Sequence, residues 1–227
     1  MSEVCNICHF PLEQHGWMRL EAMPRDPKFG QLAPCPHNSR VQDRYLKRLS
    51  GLQGPEHDWR LAQFWDVAGR EGVLAAAEAM RKRWTGWLAL HGTFGTGKTW
   101  LLKALVNEAV CSGRPALFQT LPRLLDHLRA AFDPKQGIGF SGLFDRVLSV
   151  DVLALDEVDK YNPTDWAQEK LQEIVDHRYT HAHEMATLLA YNEEERVPGY
   201  LRSRMGQFVL LSLTCGDMRP AVKEMPF

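Results

Sequence analysis

No apolar run in this 227-residue sequence comes near the roughly 20 residues that a membrane-spanning helix needs. The first residues lack the basic, apolar and small-residue regions of a secretory signal, so a cytoplasmic setting is expected. Acidic and basic residues nearly balance, 28 against 27, and the formal net charge of −1 gives no overall pull toward nucleic acid. Any such contact must come from a local patch. Cysteine is scarce: five in all, which in a reducing compartment argues for metal ligation or free thiols over disulfides. Internal repeats and low-complexity tracts are absent. What remains is ordinary soluble composition, 44% hydrophobic and 24% charged, with length for one substantial domain and a small appendage.

Against that plain background the stretch HGTFGTGKTW, residues 91–100, is dense in chemistry. Gly92, Gly95, Gly97, Lys98 and Thr99 fit the G-x-x-x-x-G-K-[ST] pattern. Its glycines let backbone N–H groups curl around a phosphate, because no Cβ blocks positive φ or close approach. The lysine brings a point charge to the outer phosphates, and the threonine hydroxyl is suited to Mg²⁺. TGWLALHG upstream reads as a buried strand, and KTWLLKALVNEAVCSG downstream has helical spacing that closes at Gly113. A strand, a glycine loop and a helix in that order present the orphan N–H groups of a helix N-terminus to an anion. The nucleotide-binding stretch is therefore Gly92, Thr93, Phe94, Gly95, Thr96, Gly97, Lys98, Thr99 and Trp100, with ATP as the expected ligand.

Phosphate transfer also needs a carboxylate near the metal. SVDVLALDEVDK is nearly continuous in apolar residues, as a central parallel strand should be, and ends in Asp156-Glu157. Asp156 is expected to hold Mg²⁺ together with Thr99, and Glu157 to polarise the attacking water, which makes a hydrolase and not only a binder. From residue 86 onward strands and helices alternate. PALFQT, MATLLAY and QFVLLSL read as further strands, LPRLLDHLRAAF as a helix, and Asn162-Pro163 as the cap and first residue of another. Such alternation predicts a three-layer α/β domain with a mainly parallel five-stranded sheet.

Residues 1–40 differ from the rest, being rich in Pro, Gly and polar residues. Cys5, Cys8, Cys35 and His37 offer four ligands for a tetrahedral Zn²⁺, with His9 as an alternative to His37; a metal would replace a core that so short a segment cannot build. Cys5 to His9 also matches the C-x-x-C-H haem-attachment pattern, which the missing export signal and the second Cys/His pair disfavour. Residues 41–85 read as a helical linker, with Val41, Tyr45 and Leu49 on one face of its first helix. Arg81-Lys82-Arg83 could touch phosphates, but a solvated helix face is the commoner reason for such a run.

Taken together, these motifs resemble the AAA+ ATPases, and more narrowly the bacterial and phage helicase-loader family (DnaC/DnaI) with its IstB transposition relatives. The resemblance covers most of the chain and implies a P-loop AAA+ domain over 86–227. Asn192, right after MATLLAY, matches the sensor-1 position that orients the attacking water. GYLRSRMG matches the box carrying an arginine finger, with Arg204 as first choice and Arg202 as alternative. CGDMRP resembles the G-x-D-x-R element, making Arg219 the sensor-2 arginine; the sequence ends soon after, so a full C-terminal lid is not expected. IVDHRY is a further loader-like pattern, and DPKFGQLAPCPH is similar to the cysteine-bearing segment of phage-type loaders, with His37 where a second cysteine would stand.

The resemblance implies ATP hydrolysis between subunits of a homo-oligomer, a replicative helicase hexamer as partner gripped by the N-terminal segment, and contact with single-stranded DNA. Arg129, Lys135 and Phe140 are candidates for that contact. An IstB-like helper of DNA transposition uses the same ATP machinery and is the competing expectation. A non-hydrolysing adaptor fits less well with Asp156-Glu157 and Asn192.

Overall fold

The apolar runs that read as strands form the centre of the molecule. The computed structural model describes residues 17–19, 32–34, 39–64, 72–132 and 140–218. A small antiparallel pair, β1 (Trp17–Arg19) and β2 (Leu32–Pro34), lies within the N-terminal segment, with Met18 opposite Ala33. Two helices follow, α1 (Ser39–Leu49) and α2 (Val73–Arg83). Then β3 (Gly86–Gly92), α3 (Lys98–Cys111), β4 (Ala116–Thr120), α4 (Leu121–Ala130), α5 (Phe140–Ser149) and β5 (Val152–Asp156) alternate. The described chain closes with α6 (Asp165–Thr180), β6 (Ala186–Tyr191), the short α7 (Gly199–Met205) and β7 (Val209–Leu213).

The five later strands form one parallel sheet in the order β4-β5-β6-β3-β7. Alternate residues of each strand go to opposite faces, as a period of two requires. Trp87, Ala89, Leu153, Leu155 and Leu189 join one apolar cluster with α4, α5, α6 and α7. Leu88, Leu90, Val152, Ala154 and Leu188 join a second with α3 and with Leu46, Leu61, Val73 and Ala77 from the preceding region. Three layers result, and the five-stranded α/β expectation holds. The β5 and β6 strands are buried throughout, which explains their near-continuous apolar sequences. Among the described residues no helix is long and apolar enough to cross a membrane.

Gly113 ends α3 as read from sequence, at φ +76° with its N–H donating to Val110 O. The start of α6 corrects one expectation. Its cap is Thr164 and not Asn162: Thr164 is extended (φ −67°, ψ 155°), and its hydroxyl accepts the Ala167 N–H at 3.3 Å. Pro163 therefore precedes the cap instead of opening the helix.

Arg178 of α6 is fully buried at the amino end of the sheet. It donates to Val150 O (2.6 Å), Leu148 O (3.3 Å), Thr187 Oγ1 (3.1 Å) and Ala186 O, tying α6 to the starts of β5 and β6. Burial pushes its pKa down to about 9. Its IVDHRY context thus belongs to the framework that fixes the strand register.

Candidate functional site

The glycine loop leaves the carboxyl end of β3, beside the point where chain order across the sheet reverses, which is where ligands bind in open α/β sheets. A Cβ on Gly92 would stand 2.4 Å from Leu213 O of β7, so only glycine lets the two backbones run this close. Gly97 adopts φ +94° and hands the chain directly into α3, whose first-turn N–H groups face the loop without side-chain caps. Lys98 folds back across the loop, donating to Gly92 O and Thr93 O at 2.7 Å each. Burial lowers the pKa of its ammonium, while Asp156 and Asp159 oppose that loss of charge. Thr96 Oγ1 donates to Thr93 O (3.0 Å), and Phe94 stands 63% exposed at the tip.

The Trp100 ring stacks on Trp59 and Phe64, each at 5.7 Å, packing residues 54–64 along α3. Asn107 Nδ2 donates to His57 O and Trp59 O, and Lys103 pairs with Glu56 along the same seam. The Trp100 side chain is committed to this packing, so only its backbone is available to a nucleotide phosphate.

Asp156 closes β5 with 4% of its surface exposed. Its Oδ2 accepts from Thr99 Oγ1 at 2.5 Å and its Oδ1 from the Glu157 N–H at 2.8 Å. Burial raises its pKa above the usual carboxylate value against the pull of those hydrogen bonds and of Lys98. A hydroxyl and a carboxylate in direct contact below a phosphate loop are the oxygen donors that Mg²⁺ takes, so this pair fits the ion. Glu157 has φ +55°, a left-handed conformation rare for a residue with a Cβ, and its side chain is exposed. Partial burial and then the charges of Asp156 and Asp159 raise its pKa, the direction a proton acceptor for water needs.

Asn192 follows β6 at the same end of the sheet. His91 at the end of β3 reaches Asn192 O through Nε2 at 3.1 Å and stacks on Tyr191. From the other side, Asp159 accepts the Asn192 N–H (3.2 Å) and the Glu193 N–H (3.0 Å) through Oδ2. Asp159 was missed in the sequence. The last acid of DEVDK reads as part of a polar turn, yet only 1% of it is exposed.

Arg204 and Arg202 lie on α7. Arg204 is held within its own chain: Nη2 pairs with Asp176 Oδ1 at 2.5 Å, Nη1 donates to Tyr200 O (3.2 Å), and the guanidinium lies 5.3 Å from the Tyr179 ring centre. Arg202 is exposed. Beyond β7, Met218 N donates to Gly95 O (2.9 Å), and the Asp217 carboxylate lies where a Gly95 Cβ would stand. Arg219 lies outside the described residues, as do Cys5, Cys8, His9, Cys35, His37 and Lys135. Among the described residues no three His, Cys, Asp or Glu side chains group as a metal site. Phe140 stacks on the 56% exposed Phe132 at 4.4 Å, and Arg129 lies over Trp166 at 5.0 Å.

The region comprising the loop, the acidic strand and Asn192 has known relatives. Residues 75–194, more than half of the chain, match the family described as IstB-like ATP binding protein. The chain belongs to that family. Membership makes it an ATP-binding protein; the matched segment includes Gly92–Thr99, Asp156, Glu157 and Asn192 and leaves out Arg204 and Arg219. An ATP-binding protein of insertion sequence IS1162 from Pseudomonas fluorescens is 37% identical over 161 residues, 70% of this chain and 59% of that relative. The replicative helicase loader DnaC of Buchnera aphidicola subsp. Schizaphis graminum is 24% identical over 169 residues, 73% of this chain and 65% of the loader. The chain thus spans roughly 60% of the length of these IstB-like and loader relatives. The crystal structure of the DnaC helicase loader shares the fold with a TM-score of 0.60 at 18% identity, over 71% of this chain and 99% of that one.

Proposed function

We propose that this protein hydrolyses ATP to deliver a replicative helicase onto single-stranded DNA from a cytoplasmic homo-oligomer. The Thr99–Asp156 contact beneath the glycine loop carries the ATPase reading. The loop N–H groups donate to the phosphate oxygens, and Lys98 exchanges its two loop carbonyls for the outer phosphate oxygens. Bound Mg²⁺ would neutralise charge between the phosphates, with Thr99 and Asp156 as its protein donors. Asn192 and Glu157 orient a water whose oxygen attacks the γ-phosphorus. The bond from that phosphorus to the β–γ bridging oxygen breaks, and the water proton passes to Glu157. Arg204 of a neighbouring subunit leaves Asp176 to meet the transition-state charge, with Arg219 as the cis-acting partner.

The loader assignment is supported by the cysteine-bearing first 40 residues and by the 24% identity to a loader. In this reading Cys5, Cys8, Cys35 and His37 bind Zn²⁺ and shape the segment that grips the helicase hexamer. Phe132, Phe140 and Arg129 contact single-stranded DNA by stacking and charge. A second reading, an ATPase helper of DNA transposition, has the 37% identity to the insertion-sequence protein in its favour. Native mass of the chain mixed with the hexameric helicase of its own source, with and without ATP, separates the two. A complex that needs residues 1–40 fits the loader; no complex, with ATP-dependent filaments on duplex DNA, fits the helper. Elemental analysis below about half a zinc per chain, unchanged on mutating Cys35, would sink the metal assignment.

A further inference from the structure

Asp159 sits where three parts of the site meet. Its Oδ2 accepts the backbone N–H groups of Asn192 and Glu193 and also faces Lys160 Nζ at 3.4 Å. Lys160 in turn pairs with Glu193 Oε1 at 2.6 Å and lies 5.4 Å from the ring centre of Phe94, the exposed tip of the phosphate loop. One carboxylate thereby links the turn after the acidic strand, the Asn192 turn and, through Lys160, the loop itself. The other oxygen, Oδ1, is buried and has no partner among the described residues. A desolvated carboxylate oxygen with no donor is expensive. Its charge is felt by both Lys98 and Glu157, which places it within electrostatic reach of the phosphate-binding and water-activating groups.

We propose that Asp159 is a positioning residue for hydrolysis: by holding the Asn192 and Glu193 N–H groups it sets the Asn192 side chain against the water that Glu157 activates. This rests on the ATPase reading above. Asp159 acts through the turn it holds. Its loss therefore lowers turnover and leaves nucleotide binding, which rests on the glycine loop and Lys98, in place.

The test compares the full chain with Asp159→Ala and Asp159→Asn. Affinity for a fluorescent ATP analogue, steady-state kcat and KM, and amide hydrogen exchange at residues 191–194 are measured for each. Asp159→Ala is expected to keep affinity within about threefold and lose at least about tenfold in kcat, the scale of a misplaced catalytic group. Asp159→Asn keeps an acceptor oxygen and is expected to recover most of that turnover. Exchange at Asn192 and Glu193 should quicken in the Ala variant and not in the Asn variant. Wild-type turnover in Asp159→Ala, an equal loss of affinity and turnover, or an Asn variant as slow as Ala would each overturn the inference. A wild-type chain that hydrolyses no ATP would remove the ATPase reading alone, since amide exchange needs no turnover; unchanged exchange in Asp159→Ala would then overturn the positioning role.

Discussion

Thr99 Oγ1 and Asp156 Oδ2 lie 2.5 Å apart, so a hydroxyl and a carboxylate 57 residues distant in sequence meet at one point of the site. The arrangement has a cost, because Asp156 is buried and its pKa is raised above the ordinary 3.8. A carboxyl raised on folding contributes stability fully present below its unfolded pKa and lost as pH climbs through the folded value. Asp156→Asn is therefore expected to raise the melting temperature of the empty chain at pH 7, by about 2–4 °C for each kcal/mol relieved. The gain should vanish near pH 4, and ATP hydrolysis should be lost. Calorimetry at the two pH values checks the first part; equal melting temperatures at pH 7 would count against the raised pKa.

Arg204→Ala is expected to bind ATP normally and to lose at least about 10³-fold in turnover, as removal of a finger arginine does. The ion pair with Asp176 is partly exposed, so its loss should cost at most about 1 kcal/mol of stability. Mixing Arg204→Ala with Lys98→Ala should restore part of the activity through hybrid interfaces. No restoration at any mixing ratio would argue against a shared site, and the same series with Arg202→Ala tells the two arginines apart.

Arg178 makes a prediction about the framework. Arg178→Met leaves three backbone carbonyls and Thr187 Oγ1 without their donor, and is expected to cost about 3 kcal/mol or more. Lysine at this position should recover little, because a single ammonium cannot span four acceptors. Chemical denaturation of both variants measures the difference.

Phe132→Ala is expected to weaken binding to single-stranded DNA by about 1–3 kcal/mol while leaving ATP affinity unchanged. Arg129→Ala should reduce the salt dependence of binding by about one phosphate contact. Anisotropy titrations of a labelled oligonucleotide at several salt concentrations read both, and an unchanged Phe132→Ala affinity would move the DNA contact elsewhere.

The glycine loop, the acidic strand end and all five parallel strands were legible because their chemistry is local: consecutive residues carry the pattern, and β5 and β6, buried on both faces, write themselves as apolar runs. What escaped was set by partners far along the chain. Asp159 meets Asn192 across 33 residues, and its burial depends on a turn that only the sheet creates. Arg178 looks like a surface arginine on an amphipathic helix until β5 and β6 arrive to take its hydrogens. Trp100 read as part of the nucleotide loop, yet its ring was recruited by Trp59, 41 positions earlier in sequence, to seal the preceding segment against α3. The misplaced cap of α6 is a different failure: Asn162 and Thr164 are both good caps, and backbone direction after Pro163 decides between them.

The close approach of Gly92 to Leu213, and of Gly95 to Asp217 and Met218, joins the phosphate loop to the strand that follows α7. Only three residues, 206 to 208, carry the chain from Met205 to β7. In the oligomer proposed above, a subunit's own nucleotide loop and the α7 arginines offered to its neighbour are thus opposite ends of one short lever. In a closed or helical array, such levers laid end to end let the occupancy of one site set the tension on the next.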